Sequence, residues 1–408
     1  MQQEFRLEKL GLKTDKKEAY MKAHKVNLHD VIGYLIIIPF LNPRGFYEVL
    51  PIYKTLMTGW MYLALLMVLF EIFTQFKGTI IYMKKKAEVS FFVYFAAMIL
   101  ITLTVQGGLH EGLQNMIATP ILCLYGIFCL RKDAEKFLTI VSNILLVLFI
   151  LNLTIFNPYV MQYKIAEYHM IFLGHVQVAG QFGALGVLCG CLLYSISSKK
   201  RKKSLFLVIV SILTMLTSGT SSAMLVVALT VLWAILYRLK LYEFFCKGIQ
   251  VYVVLFAVLG AGLVIINSGL PDAIAGFLNS RHQIWNMVMQ TFIDAPLIGY
   301  GIQGVTLKMY WGSEINYAHS QFAQNLLDGG IILCILFYIM VFLVAMAIRS
   351  AKRRELRVLG TLILTAYLCI SLFESLSFYP YFSLTLILLI YIPEVSEVLE
   401  ERKTLVSE

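Results

Sequence analysis

The chain has 408 residues, 59% of them hydrophobic and 14% charged, against roughly 45–50% apolar and 25% charged in soluble domains. That excludes an ordinary soluble globular protein, and a mean hydropathy of +0.77 points to a chain lying mostly in lipid. The net charge is +10, but the 34 lysines and arginines sit in short clusters between apolar runs; this reads as membrane orientation and argues against a nucleic-acid partner.

In chain order, residues 1–28 form a basic segment too long and too charged for the leading part of a cleavable signal, so the first apolar span is expected to stay in the protein. A polytopic membrane domain is predicted over residues 29–393, with spans near 29–46, 52–73, 89–107, 112–130, 137–157, 171–195, 204–218, 220–237, 249–267, 321–348, 358–373 and 376–393. Residues 394–408 form a tail. Twelve spans put both termini in the cytoplasm, and the charges agree: 29 of the 34 lysines and arginines fall in the segments assigned inside. Arg44, Lys54, Lys164, Arg281 and Lys308 remain outside. The uncharged stretch 204–237 is bounded by basic residues at both ends, so the polar break Thr217-Ser218-Gly219-Thr220-Ser221-Ser222 is predicted to be a tight hairpin at the outer face.

The fold class is therefore an all-α membrane protein with a large outer loop at about residues 268–320, between spans nine and ten. No extramembrane segment is long enough for an ATPase domain or a soluble sugar-nucleotide transferase domain. The seven cysteines fall in or at the ends of apolar spans and the six aspartates are scattered, so neither a disulfide framework nor a metal site is suggested.

The chemistry is expected in the outer loop. Ile284, Val288 and Phe292 recur at helical spacing beside Trp285, which predicts an amphipathic helix on the outer membrane surface with its tryptophan at headgroup level. Gly299, Gly301 and Gly304 match G-x-G-x-x-G, but no strand-helix-strand unit surrounds them, so they are read as a turn in which backbone approaches something closely. His319 precedes the tenth span, where a neutral imidazole is placed to accept a proton; taken alone, it reads first as an interfacial histidine bonded to loop backbone. Arg281 suits phosphate oxygens or a snorkelling anchor, and Lys308, Lys164 and Arg44 invite the same two readings, with Glu48 a local partner for Arg44. His175, Gln177 and Gln181 stand where apolar residues are expected, lining a sugar-binding cavity or bonding between helices. Glu111, Asp328 and Glu374 read as packing or pairing groups near outer span ends.

The ordered set Arg281, Trp285, Pro296-Leu297-Ile298-Gly299-Tyr300-Gly301, His319, Asn325 and Gly329-Gly330 resembles the bacterial O-antigen ligase and polysaccharide polymerase family, most strongly over residues 204–345. The resemblance implies a helical membrane fold like that of lipid-dependent (GT-C-like) glycosyltransferases, in the bacterial plasma membrane with the site facing outside. It implies undecaprenyl-pyrophosphate-linked glycans as donor and acceptor, no cofactor or metal, and membrane lipids, a flippase and a chain-length regulator as partners. By the same resemblance Arg281 engages the donor pyrophosphate and His319 serves the acceptor hydroxyl, with Trp285, Tyr300, Lys308, Arg44, Lys164, His175 and Gln177 as substrate-binding candidates. The family's arginine near the turn between spans seven and eight is missing here, where the chain reads Ser218-Gly219-Thr220-Ser221-Ser222-Ala223. The expected reaction joins glycan repeat units into surface polysaccharide (capsule, exopolysaccharide or O-antigen); a ligase using another acceptor and a lipid-glycan flippase are the rival readings.

Overall fold

The structure, a computed structural model, describes residues 28–47, 50–75, 85–108, 111–157, 170–266, 281–308 and 314–407. It is helical throughout, with α1 Leu28–Ile37, α2 Pro51–Gln75, α3 Lys86–Gln106 and α4 Glu111–Leu153 in the first part. Helices α5 Val178–Ile196, α6 Arg201–Ser218, α7 Ser221–Arg238, α8 Tyr242–Lys247, α9 Ile249–Ile265 and α10 Arg281–Phe292 follow, then α11 Gln321–Ser350, α12 Arg354–Ser371, α13 Pro380–Ile390 and α14 Ile392–Ser407. The described strands form two antiparallel ribbons of two residues per strand, β1 Met170–Ile171 with β2 Gly174–His175 and β3 Leu307–Lys308 with β4 Glu314–Ile315, and short 3-10 turns lie at Ile38–Phe40, Arg44–Phe46 and Ser198–Lys200.

Each of the twelve predicted apolar segments contains helix, and seven of the described helices are long and apolar enough to cross a membrane. Predicted spans four and five form the single element α4, which breaks at Asp133 (φ −158°, ψ 85°). The Asp133 carboxylate accepts the Lys136 N–H at 2.9 Å, capping the second half as a helix N-cap does. A Cβ at Gly126 would meet the Phe137 ring at 3.3 Å, so the chain folds back on itself there. The predicted hairpin between spans seven and eight is present: α6 ends at Gly219 (φ 65°), and Thr220 caps α7 by accepting from Ala223 N.

The bundle is built around α5 and α13. All eleven residues of α13 are buried, and α5 is buried on nearly every side. Small residues allow that packing, as they do between helices in lipid: a Cβ at Gly183 would lie 2.3 Å from Met215, and one at Gly186 would lie 2.3 Å from Ser211 Oγ, so α6 lies directly on α5. The perimeter faces lipid, with α2 exposing Ile52, Leu56, Leu63, Leu66 and Phe73.

Segments read as cytoplasmic pair with one another and so share one end of the bundle. Buried Glu88 accepts from Arg131 at 2.9 Å and from Tyr391 Oη at 2.7 Å, Lys200 meets Glu135 at 3.1 Å, Arg353 meets Glu400 at 3.2 Å, and Lys136–Asp30 and Lys85–Glu394 are further ion pairs.

One expectation is overturned. The apolar face of helix α10, Trp285 included, is not turned to lipid: Ile284, Trp285 and Val288 pack against Val264, Leu307, Ala318 and Leu327 in a separate small core. An apolar stripe reports only that it is covered, and here protein covers it instead of lipid.

Candidate functional site

The site forms where α10, the approach to α11 and the loop between α12 and α13 meet. Trp285 anchors it, fully buried, with its indole N–H donating to Ala318 O at 3.0 Å. That bond pins the stretch before α11, in which His319 adopts a left-handed backbone (φ 47°), uncommon for a residue with a side chain.

Arg281 Nη2 donates to Glu374 Oε1 at 3.0 Å, and His319 Nδ1 lies 3.8 Å from Glu374 Oε2. The second distance is ion-pair range but too long for a hydrogen bond. Arg281 Nε and His319 Nδ1 are buried and have no hydrogen-bond partner among the described residues. Glu374 is thus a pairing group, and its partners are the two residues that the sequence singled out, 93 positions and 55 positions away. The Tyr317 ring packs edge-on against the imidazole at 4.3 Å. Burial, reinforced by the Glu374 charge, raises the Tyr317 phenol above its ordinary value, so it stays protonated and able to donate near neutral pH.

The first turns of α11 hold these loops together. Gln324 Oε1 accepts from Ala318 N at 2.8 Å and from Ser375 Oγ at 3.1 Å, one residue from His319 and one from Glu374 respectively, while its Nε2 donates to Asp328 at 2.9 Å. Gln321 Oε1 accepts from Leu376 N and Ser377 N at 2.6 and 2.9 Å. Replacing Gln324 by alanine leaves buried donors unpaired; the expected loss is about 1–3 kcal/mol of stability, read by thermal unfolding, with activity falling further because the His319–Glu374 spacing is no longer held.

The glycine turn is as closely approached as its sequence predicts. Helix α11 breaks at Gly329 and Gly330 (φ 60°, ψ −156°), and residues 296–301 fill the break. Tyr300 N donates to Leu327 O at 2.8 Å, Gly301 N to Asp328 O at 3.1 Å, and Ile331 N to Pro296 O at 2.9 Å. The backbone groups freed by the break are therefore satisfied by the loop.

Glu374 and Tyr317 line a cavity of about 370 Å³ with Arg44, His175, Gln177 and Gln181. His175 lies on β2, ahead of α5, so the predicted sixth span becomes helical only at Val178. Gln181 is 1% exposed, and its Oε1 has no partner among the described residues. The hairpin turn adjoins the same segment, with Ser222 Oγ donating to Gln177 O at 3.4 Å.

Other candidates stand elsewhere. Trp285 is structural. Tyr300 donates to Thr291 O at 2.8 Å and does not line the cavity. Lys308 is 79% exposed and paired with Glu314 at 3.5 Å, because the β3–β4 ribbon turns it outward. Lys164 and Glu48 lie outside the described residues.

Residues 205–338 match the O-antigen ligase family (Wzy_C). The matched stretch contains Arg281 and His319 and ends before Glu374. No curated protein matches the chain.

Proposed function

We propose that this multi-pass membrane protein is a glycosyltransferase that polymerises undecaprenyl-pyrophosphate-linked oligosaccharide repeat units into surface polysaccharide at the outer face of the bacterial plasma membrane. The observation that carries the reading is the Arg281–Glu374–His319 cluster, set at the edge of a cavity that also presents His175, Gln177 and Gln181. His319 accepts the proton of the attacking sugar hydroxyl, as a positioned general base does. The imidazolium formed is balanced by Glu374, and Arg281 holds that carboxylate in place. The hydroxyl oxygen attacks the anomeric carbon from the face opposite the pyrophosphate, so transfer inverts the configuration. Negative charge building on the leaving pyrophosphate meets the Arg281 guanidinium, whose Nε is left over from the Glu374 contact. Neutral sugar hydroxyls suit the amide and imidazole groups of the cavity, Gln181 Oε1 in particular, which lacks a donor.

The test is reconstitution. The full chain in nanodiscs, given lipid-linked repeat units alone, is expected to produce a ladder of lipid-linked oligomers whose new linkages are inverted at the anomeric carbon. Starting material recovered unchanged, but consumed once a different glycolipid acceptor is added, identifies a ligase using the same groups. Movement of the lipid-linked unit across the bilayer without any new linkage identifies a flippase.

A further inference from the structure

A groove of about 480 Å³ opens between α3 and α11. Its walls are Lys86, Val89 and Val93 on α3 and Leu336, Ile339 and Leu343 on α11, each set at i, i+3 and i+7, so a single stripe of each helix lines it. Val89, Val93 and Ile339 are exposed, which leaves the groove open toward lipid. Behind it the two helices hold each other, the Tyr94 hydroxyl donating to Asn325 Oδ1 at 3.0 Å and the Tyr94 ring standing edge-on to Phe337 at 5.6 Å.

One end of the groove is basic. Lys85 and Lys86 line it, and no acid does among the described residues. Lys85 is spent inside the protein: its ammonium donates to Ile390 O at 2.7 Å, pairs with Glu394 and lies 4.5 Å from the centroid of the Tyr391 ring. Lys86 is exposed, and its ammonium has no partner among the described residues. This end is the one where the segments read as cytoplasmic meet, beside the Arg131–Glu88 pair.

The dimensions select the occupant. From Lys86 to Val93 the stripe covers about 10 Å of helix rise, within the roughly 15 Å of hydrocarbon in one leaflet, whereas a membrane-spanning partner helix needs a seam of about 30 Å. A cation at the interface with a short apolar trough below it matches a phosphate headgroup and an acyl chain, and basic pockets between helices on the cytoplasmic side take anionic lipids.

We propose that this groove binds one anionic phospholipid of the cytoplasmic leaflet, with its phosphate on Lys86 and an acyl chain along Val89, Val93, Leu336 and Ile339. The bound lipid braces α3 against α11. At its far end α3 holds the glycine turn, Gln106 Nε2 donating to Tyr300 O and Ile302 O, both at 2.9 Å.

The experiment measures retention of phosphatidylglycerol and of phosphatidylcholine by the full chain in detergent, using native mass spectrometry, with thermal unfolding as a second readout. The wild type is expected to retain one phosphatidylglycerol in preference to phosphatidylcholine and to unfold at a higher temperature with it, as a ligand of the folded state requires. Lys86→Gln is expected to weaken retention about tenfold, and Lys86→Arg to keep it. Val93→Trp, which fills the trough without changing charge, is expected to weaken retention as much as Lys86→Gln. Without added lipid, all three variants should unfold within a few degrees of the wild type. Lys202→Gln removes a charge from exposed α6 at the same end of the bundle and outside the groove; it should bind as the wild type does. Equal retention of the two lipids by the wild type overturns the proposal, as does wild-type retention in Lys86→Gln or in Val93→Trp. An equal loss in Lys202→Gln also overturns it, since the lipid then answers to the charge of the whole face. A lipid-free dimer that Val93→Trp converts to a monomer puts a second copy of the chain in the groove and overturns it too.

Discussion

Replacing His319 by alanine is expected to slow glycan chain growth by roughly 10²–10⁴-fold, the usual contribution of a positioned general base, and Glu374→Gln to fall in the same range. The two losses have one physical origin. Proton transfer to the imidazole creates a cation beside Glu374 Oε2, at 3.8 Å in the resting site, and a neutral amide cannot balance it. Such contacts tighten when substrate is bound. Because the residues act as a unit, the double variant is expected to be little slower than the worse single variant, not slower by the product of the two effects. Arg281→Met should be folded but slow, since it leaves the Glu374 carboxylate without its 3.0 Å partner. Incorporation of labelled repeat units by the reconstituted chain measures all four proteins, and full multiplicativity of the His319 and Glu374 effects would contradict a shared step.

The second large effect is structural and lies at the break in α11. Gly330→Ala is expected to cost on the order of 3 kcal/mol or more, combining the strain of a φ/ψ region open essentially to glycine alone with overpacking. An added Cβ would stand 2.4 Å from the carbonyl of Leu297 and 2.6 Å from that of Pro296, both backbone atoms that no rotamer change can move. The loop 296–301 must then leave the break, which frees the carbonyls of Leu327 and Asp328 and the N–H of Ile331. Ala318 and Ser375 are bonded to the half-helix before that break through Gln324, so the spacing of His319 and Glu374 goes with it. Gly262→Ala provides the comparison: a Cβ there meets nothing within 4 Å, and helix propensity predicts a neutral or slightly favourable change. Thermal unfolding in detergent checks both, and equal unfolding temperatures for the two variants would contradict the packing argument.

Much of this architecture is legible in the sequence because lipid imposes length and charge rules that act locally. Apolar runs near 20 residues and clustered lysines place the helices, and Asp133 and Gly219 mark turns through the capping chemistry of single residues. The glycines of 299–304 and 329–330 are each legible as backbone peculiarities, but that one fills the break in the other is a tertiary fact with no local signal. Glu374 is the same kind of case. An acid near an outer span end is costly and calls for a partner, which identifies it as paired without saying that the partner lies 93 residues earlier. Trp285 shows the opposite limit, since the helical spacing of an apolar stripe is identical whether lipid or protein covers it.

The central claim is that the Arg281–Glu374–His319 cluster extends lipid-linked glycan, and the most direct measurement is the size distribution of lipid-linked and surface glycan in cells lacking this protein, complemented with wild type or with Glu374→Gln. The account predicts long chains with the wild type and single repeat units, still on the lipid at the outer face, with Glu374→Gln. Long chains of wild-type length from the Glu374→Gln cells would contradict it.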